Sequence, residues 1–422
     1  MCKRQGGATL TFVLGDALIR VRGLAWPACV AALLTLSASS TSAQSGLILP
    51  ETHMFRIGSL SVYPTAAVRD VGFDSNVYND STGPKGDFTY TLAPRLYLVA
   101  PVGNSRFVGT GFGNLAYFQT YKDQQSVGGL FQARYEVMSP GFRPFATAGF
   151  ADRRERRGLE IDERVRQRQT TTTLGADMDL TTRTALTAWA GRVKTTWDRN
   201  AQYLGVSLSE QLDYSTDIFA GGAKFRATPL TTIGMIAELH RDRFESSPVR
   251  DADRLLIGPS VDFDAGASVV GHVRVGYQSF NPIDPIVANY QGVALLADLR
   301  YTLRELTEVK FESSRDVDYS YDPIQPYYLE SSGVLTVSQR LIGPLQVIAI
   351  GERHSLRHQR LVATSFDGRE EITHTVGGGF ALQIRKQMRF ELTYQSTKRT
   401  SNEPGWRQYE RQRLFASVFY GL

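Results

Sequence analysis

The strongest constraint in this chain is a two-residue alternation carried over unusually long segments. From Tyr290 to Arg304, one side of an extended backbone carries Gln291, Val293, Leu295, Ala297, Leu299, Tyr301 and Leu303. The other side carries Gly292, Ala294, Leu296, Asp298, Arg300, Thr302 and Arg304. Arg254 to Gly266 repeats the division, with Leu255, Ile257, Pro259, Val261, Phe263 and Ala265 against Arg254, Gly258, Ser260, Asp262 and Asp264. Gln169 to Thr181 sets Thr170, Thr172, Leu174, Ala176, Met178 and Leu180 against Thr171, Thr173, Gly175, Asp177 and Asp179. In Met388 to Arg399, Phe390, Leu392 and Tyr394 oppose Arg389, Glu391, Thr393 and Gln395. Helix-period patterning is close to absent. Breaker-free segments of this kind suit tilted strands, which cross an apolar layer with about 9–11 residues. In a soluble sandwich the apolar face would meet a second sheet, and turns would come sooner. Once one face meets lipid, the charged face must be wet or must pair its charges.

The segments recur at roughly 40-residue spacing, the length of one long hairpin. A propeller has a similar period but packs four short strands into each repeat, where two long ones are read here. Short connections fall at Val102–Asn104, Ser139–Gly141, Thr182–Arg183, Pro229–Leu230, Gly266–Ala267, Arg304–Leu306, Gly343–Pro344 and Lys386–Gln387. Longer, polar or Pro-rich connections fall at Asn79–Asp87, Lys122–Ser126, Asp152–Arg168, Arg199–Asp213, Glu245–Asp253, Asn281–Asn289, Asp316–Tyr327, His358–Glu370 and Arg399–Trp406. Together they join about 18 strands (roughly 16–18) into an all-β, transmembrane, antiparallel up-and-down barrel, with long loops outside and tight turns in the periplasm. At that size the lumen is wide enough for an aqueous channel. The last segment, Arg411 to Leu422, places Leu414, Ala416, Val418, Tyr420 and Leu422 opposite Arg413, Phe415, Ser417 and Phe419. It is read as the strand that closes the sheet on the first and removes both edges.

Residues 1–43 read as a cleaved export signal. Lys3, Arg4, Arg20 and Arg22 supply charge, Leu24 to Leu36 form a short apolar core, and Thr41-Ser42-Ala43 offers a small-residue cleavage site. A lipoprotein box at Cys29 is disfavoured by Trp26-Pro27-Ala28 before it and the apolar run after it. Residues 44–60 then form a periplasmic lead-in, and 61–422 the barrel. Cleavage would reduce the net charge from +5 to +2, so basicity says little about partners. It would also remove Cys2 and Cys29, and with them disulfide, thiol and thiolate–metal chemistry.

The segment Val71-Gly72-Phe73-Asp74-Ser75-Asn76-Val77-Tyr78-Asn79-Asp80 resembles the first-strand motif of a family of outer-membrane β-barrel porins often encoded beside exopolysaccharide genes. The pattern of hairpins is similar along nearly the whole chain after residue 43. The resemblance implies a bacterial outer-membrane location and a link to export of surface polysaccharide. It implies partners among outer-membrane lipid and lipopolysaccharide, the barrel assembly machinery and polysaccharide export components. It brings no catalytic motif. Asp74 and Asn76 are read as turn or lumen hydrogen-bonders.

No catalytic, cofactor or metal site is assigned. Gly109-Thr110-Gly111-Phe112-Gly113 lacks the strand–loop–helix context of a nucleotide loop, and Gly377-Gly378-Gly379 reads as a bend in a strand. His354 and His358 would stand roughly 13 Å apart on a strand, too far for one metal. His240 with Glu238, and His272 with Arg274, face the expected lumen without a nucleophile beside them. Nucleic-acid binding is implausible outside the cell. Asp152–Arg168 is the most charged loop and reads as solvated, with an inward constriction or a contact to anionic lipopolysaccharide as functional alternatives. Tyr78, Phe88, Tyr90, Phe118, Phe142, Trp197, Tyr290, Tyr328 and Tyr420 are read as interfacial girdles.

Three functions follow. The first is a passive porin-like channel or conduit whose lumen charges tune selectivity. The lumen set is Arg95, Arg134, Glu136, Arg192, Lys194, Asp262, Asp264, Asp298, Arg300, Arg389 and Glu391. The second is a structural or surface-interaction barrel, plugged by paired side chains, whose loops bind. The third, an outer-membrane enzyme, is the least supported.

Overall fold

A computed structural model describes residues 55–156, 159–264, 267–361, 368–403 and 407–421. Residues 1–43, expected from sequence to be an export signal, most of the expected lead-in, Gly266, Pro404-Gly405-Trp406 and Leu422 lie outside the described residues. The chain forms one antiparallel sheet rolled into a closed barrel of 18 strands. These are β1 Leu60–Asp74, β2 Asp87–Val102, β3 Ser105–Phe118, β4 Ser126–Val137, β5 Phe142–Arg156, β6 Arg164–Asp179, β7 Thr184–Trp197, β8 Tyr214–Thr228 and β9 Thr231–Phe244. The second half is β10 Ala252–Phe263, β11 Val269–Pro282, β12 Tyr290–Leu303, β13 Thr307–Tyr319, β14 Tyr327–Ile342, β15 Leu345–Gln359, β16 Glu370–Arg385, β17 Met388–Ser401 and β18 Tyr409–Tyr420. A short strand, Phe55–Ile57, folds back against Leu60–Val62 at the start of β1.

Each strand pairs with its neighbours in sequence, and β18 pairs with β1 from Ala66↔Tyr420 to Asp74↔Arg413. That seam carries a bulge. The register slips between Val68 and Val71, where Asp70 takes a φ of 58°. The Asp70 amide donates to Ser417 Oγ at 3.3 Å, and the Thr89 hydroxyl donates to the Asp70 carbonyl at 3.1 Å. The extra residue thus keeps hydrogen-bond partners despite leaving the ladder. No bend interrupts pairing at Gly377-Gly378-Gly379, where the register runs unbroken from Glu371↔Ser401 to Gln383↔Arg389.

The two faces differ as lipid and lumen require. On β18, Leu414 and Tyr420 are exposed outward while Phe415, Ser417 and Phe419 are buried inside. On β6, Arg166, Arg168, Thr170, Thr172 and Leu174 are exposed, and Thr171 and Thr173 between them are buried. The inner wall packs across strands. Phe145 and Trp189 meet over Gly175, where an added Cβ would stand 2.6 Å from both side chains. Only a residue without Cβ leaves room for that contact.

Several expected loops are shorter than read. β5 continues to Arg156 and β6 begins at Arg164, and β13 continues to Tyr319. The charged composition suggested loops, yet the ladder from Asp152↔Arg168 to Arg156↔Arg164 is regular. Charged side chains are tolerated there because the strands project beyond the apolar layer into water. Of the girdle aromatics, Phe88, Phe142 and Tyr420 point outward, whereas Phe118, Trp197 and Tyr328 are buried. Strand-end position did not fix which face they occupy. No helix among the described residues is long and apolar enough to cross a membrane.

Candidate functional site at the barrel mouth

The long connections gather over the lumen at the end opposite the tight turns. On one side they build an apolar cluster. Tyr321 and Tyr327 from the β13–β14 hairpin join Ile161, Tyr203, Val287, and Leu208 and Leu212 of the short helix α1 (Leu208–Leu212). They pack against Trp197, Phe244 and Phe280 of the wall. Tyr319 lies 4.7 Å from Phe244 ring to ring, and Tyr327 4.6 Å from Phe280. Each such aromatic pair adds about 0.5–1.5 kcal/mol beyond area burial. The phenols are anchored as well: Tyr319 donates to Asp242 at 2.7 Å and Tyr327 to the Ala288 carbonyl at 2.6 Å. β9 and β13 are four strands apart, so the Tyr319–Asp242 bond reaches across the inner side of the wall.

On the other side is a charge cluster that spans the lumen. Glu160, from the connection between β5 and β6, reaches β15 and β16, about half the barrel away. It lies 3.2 Å from His358 Nε2 and 3.3 Å from Arg369, and it accepts hydrogen bonds from the Ser320 hydroxyl and the Tyr321 amide. Arg369 also contacts Glu371 at 2.9 Å, and Arg399 pairs with Glu371. Asp162 lies 3.6 Å from Arg399 and 3.4 Å from Arg156. Arg411 holds Asp74 through Nε at 2.8 Å and contacts Asn79 Oδ1 at 3.2 Å. Arg407 donates to the Glu160 carbonyl and stacks over Tyr203. Arg250, in the β9–β10 connection, donates to the Ser320 carbonyl at 3.1 Å and to Gln211 at 2.6 Å. Burial lowers its pKa to about 10, while Glu160 and Asp322 oppose that shift, so it stays cationic at neutral pH. Charges this deeply placed are tolerated only when paired.

The Asp152–Arg168 segment is therefore not wholly solvated. Glu160 and Ile161 are buried in the mouth. Asp74 and Asn76 act as read from sequence, Asp74 as acceptor for Arg411 and Asn76 as donor to the Asp80 carbonyl at 2.8 Å.

The expected lumen set divides. Arg95 lies over the Phe112 ring and Arg134 over Phe145. Arg134 and Arg106 both contact Glu136. Asp262 bonds His272 Nδ1 at 2.6 Å, with Asp264 just beyond the end of β10. Asp298 and Arg300 share the inner face of β12, where Asp298 is paired in register with Glu312. Arg389 donates to Glu391 at 2.6 Å and to Gln346 at 2.8 Å. These nine lie mostly toward the tight-turn end. Arg192 and Lys194 stand on the other face: Trp189 and Val193 point inward from β7, and Leu186 is exposed beside them. Arg192 instead pairs with Asp217 at 2.6 Å and Lys194 with Glu245 at 2.8 Å, all partly or fully exposed. Both cations sit near the loop end of the wall, where outward charge meets headgroups rather than hydrocarbon. His240 bonds Glu238 at 3.2 Å, and Arg274 contacts Glu238 at 2.8 Å rather than serving His272.

Sequence reasoning missed Arg369, Glu371, Arg399, Arg407 and Arg411. Glu371, Arg399 and Arg411 share the inward parity of β16 to β18, which was a usable signal, whereas Arg369 and Arg407 lie in the connections just before β16 and β18, where parity gives none.

A closed antiparallel barrel with an apolar exterior, tight turns at one end and infolded loops at the other is an outer-membrane porin-like barrel. The chain belongs to the family described as Putative beta-barrel porin 2, which it matches over residues 51–420. Its location is the bacterial outer membrane. No curated protein matches it. Among solved structures it is similar to OccK2 (OpdF) of Pseudomonas aeruginosa in complex with glucuronate, at 13% identity, 86% of this chain, 98% of that chain and a TM-score of 0.49. OccK3 (OpdO) of the same organism is similar at 14% identity, 85% and 95% coverage and a TM-score of 0.46. A BenF-like porin from Pseudomonas fluorescens Pf-5 is similar at 10% identity, 86% and 99% coverage and 0.45.

Proposed function

We propose that the barrel is a passive channel for small solutes, constricted at its outer mouth and selective for anions. The observation that carries this reading is the charge balance of the mouth. Arg156, Arg164, Arg250, Arg369, Arg399, Arg407 and Arg411 face Asp74, Glu160, Asp162, Asp322 and Glu371, an excess of two cations within this cluster. An excess of positive charge in a narrow, low-dielectric passage favours a passing anion. Planar-bilayer recording under a salt gradient tests this. The expected reversal potential has the sign of anion preference, and Arg407→Gln is expected to reduce it while the barrel folds normally. Cation preference in the unaltered protein contradicts the reading.

A plugged structural barrel is the second reading, favoured by the burial of Arg389 and Glu391 at 3% and 2% of their surfaces. Folded protein that never conducts supports it. A link to polysaccharide export rests on the first-strand resemblance alone. Passage of a sugar chain would require the hairpin tip at 320–326 and the Glu160 connection to withdraw. An enzymatic role has no support in the His240 or His272 clusters, whose partners are carboxylates and arginine rather than a nucleophile.

A further inference from the structure

We infer that the end of the β5–β6 hairpin is a two-position gate, bent into the mouth in this structure and able to stand upright by zipping onto β4. The wall is split where the hairpin bends. Pairing between β4 and β5 stops at Gly129↔Asp152, although β4 runs on to Ser126 and β5 to Arg156. β5 and β6 stay paired beyond that point, up to Arg156↔Arg164. On its other side β6 makes its last pair with β7 at Gln167↔Trp197, followed by one bond from the Asp198 amide to the Arg166 carbonyl at 3.0 Å. Above these points the hairpin is a two-stranded ribbon with no sheet neighbour on either edge.

The bend is built into the sequence. At Gly128 the β5 backbone crosses over the sheet: an added Cβ would stand 2.9 Å from the Asp152 carbonyl oxygen and 3.2 Å from Arg153 Cα. In a flat ladder those atoms would lie beside Gly128 rather than over its face. The irregularity continues along the same row, from Gly129 to its partner Gly113, where an added Cβ would stand 2.8 Å from the Pro94 ring. Pairing of β2 with β3 skips these two residues, between Leu92↔Leu115 and Arg95↔Phe112, since proline brings no amide to the ladder. A cavity of about 90 Å³, reaching from Phe112 and Asn114 to Arg153 and Glu155, occupies the split.

Each position has its own contacts. In the bent one, Glu160 reaches His358 and Arg369, and Ile161 enters the apolar cluster. Across the split, Arg154 donates to the carbonyls of Gln125 at 3.0 Å and Asp123 at 2.9 Å. In the upright one, extending the register from Gly129↔Asp152 sets Gly128 opposite Arg153, Val127 opposite Arg154 and Ser126 opposite Glu155. These ladder pairs replace the Glu160 contacts. An element with two alternative sets of partners switches between them rather than deforming continuously, and the place of Glu160 decides how narrow the mouth is. The inference rests on the channel reading only for what the gate controls.

The test is a cysteine pair, Ser126→Cys with Glu155→Cys, which can close a disulfide only when the two strands lie side by side. Ala133→Cys with Ala148→Cys, already opposite each other on β4 and β5, is the reference pair. In folded barrels in lipid vesicles, oxidation at 126 and 155 is expected to be slow beside the reference. Glu160→Gln, which removes the charge that Arg369 holds, is expected to speed it about ten-fold. Gly128→Ala is expected to speed it as well, because the bent path leaves no room for Cβ. Closing the disulfide is expected to raise single-channel conductance, and reductant to restore it. Heat-modifiable migration reports folding in every variant. A rate that neither substitution changes, a rate equal to the reference throughout, or a closed disulfide that leaves a measurable conductance unaltered would overturn the inference. Cross-linking is read without current, so a barrel that cross-links as expected but never conducts supports the gate and contradicts the channel reading.

Discussion

Glu371→Ala is expected to destabilise the barrel by about 3–5 kcal/mol, because it leaves buried cations without their counter-charge. Its carboxylate is 1% exposed and receives Arg369 and Arg399, with Arg407 at 3.9 Å. Removing it strands Arg399, whose side chain is fully buried and whose other acid, Asp162, is 3.6 Å away. The loss is read from the urea midpoint of folding into lipid vesicles. Replacing Glu371 and Arg399 together by Leu and Met should recover much of it, since a buried pair exchanged for apolar volume leaves no lone charge. A single variant as stable as the parent would show that water reaches these groups freely.

Shortening the β13–β14 hairpin by replacing 320–326 with a two-residue turn is expected to raise single-channel conductance several-fold. That tip holds Ser320 and Tyr321 on Glu160 and supplies the carbonyls that Arg250 binds. Its removal withdraws both halves of the constriction together, since the Glu160 connection loses its far anchor. Tyr203 and Ile161 lose a packing partner, so the β5–β6 and β7–β8 connections should also become protease-sensitive. Unchanged conductance after the deletion would place the resistance elsewhere, with the Arg389–Glu391 and Glu136 pairs at the tight-turn end the next sites to examine.

Much of this architecture is legible in the residues, and the reason is geometric. A barrel wall needs no long-range information to set its two faces, so Leu414 to Tyr420 and Thr170 to Leu174 declare lipid and lumen by parity alone. Turn positions are equally local: Gly103 and Gly343 take φ of 59° and 53° in two tight turns, conformations that favour glycine. Phase fails where both faces are mixed. On β7 the inner Trp189 and Val193 are apolar because they pack with Phe145 and Ile218, while the outer Arg192 and Lys194 are polar because they have left the hydrocarbon. Read locally, that strand inverts. For Asp152–Arg168 an inward constriction is legible as an alternative, but its partners are not. Glu160 finds His358 and Arg369 across 198 and 209 residues, a distance over which composition carries no pairing signal.

The alternation itself is the claim on which the rest depends, and β12 tests it most directly. The only cysteines, Cys2 and Cys29, precede the barrel, so single cysteines can be introduced from Gln291 to Thr302 and spin-labelled in lipid vesicles. Accessibility to oxygen should peak at Val293, Leu295, Ala297, Leu299 and Tyr301. Accessibility to a polar nickel chelate should peak at Gly292, Ala294, Leu296, Asp298 and Arg300, with a period of two. Uniform accessibility along the strand, or oxygen maxima at Asp298 and Arg300, would contradict the barrel account.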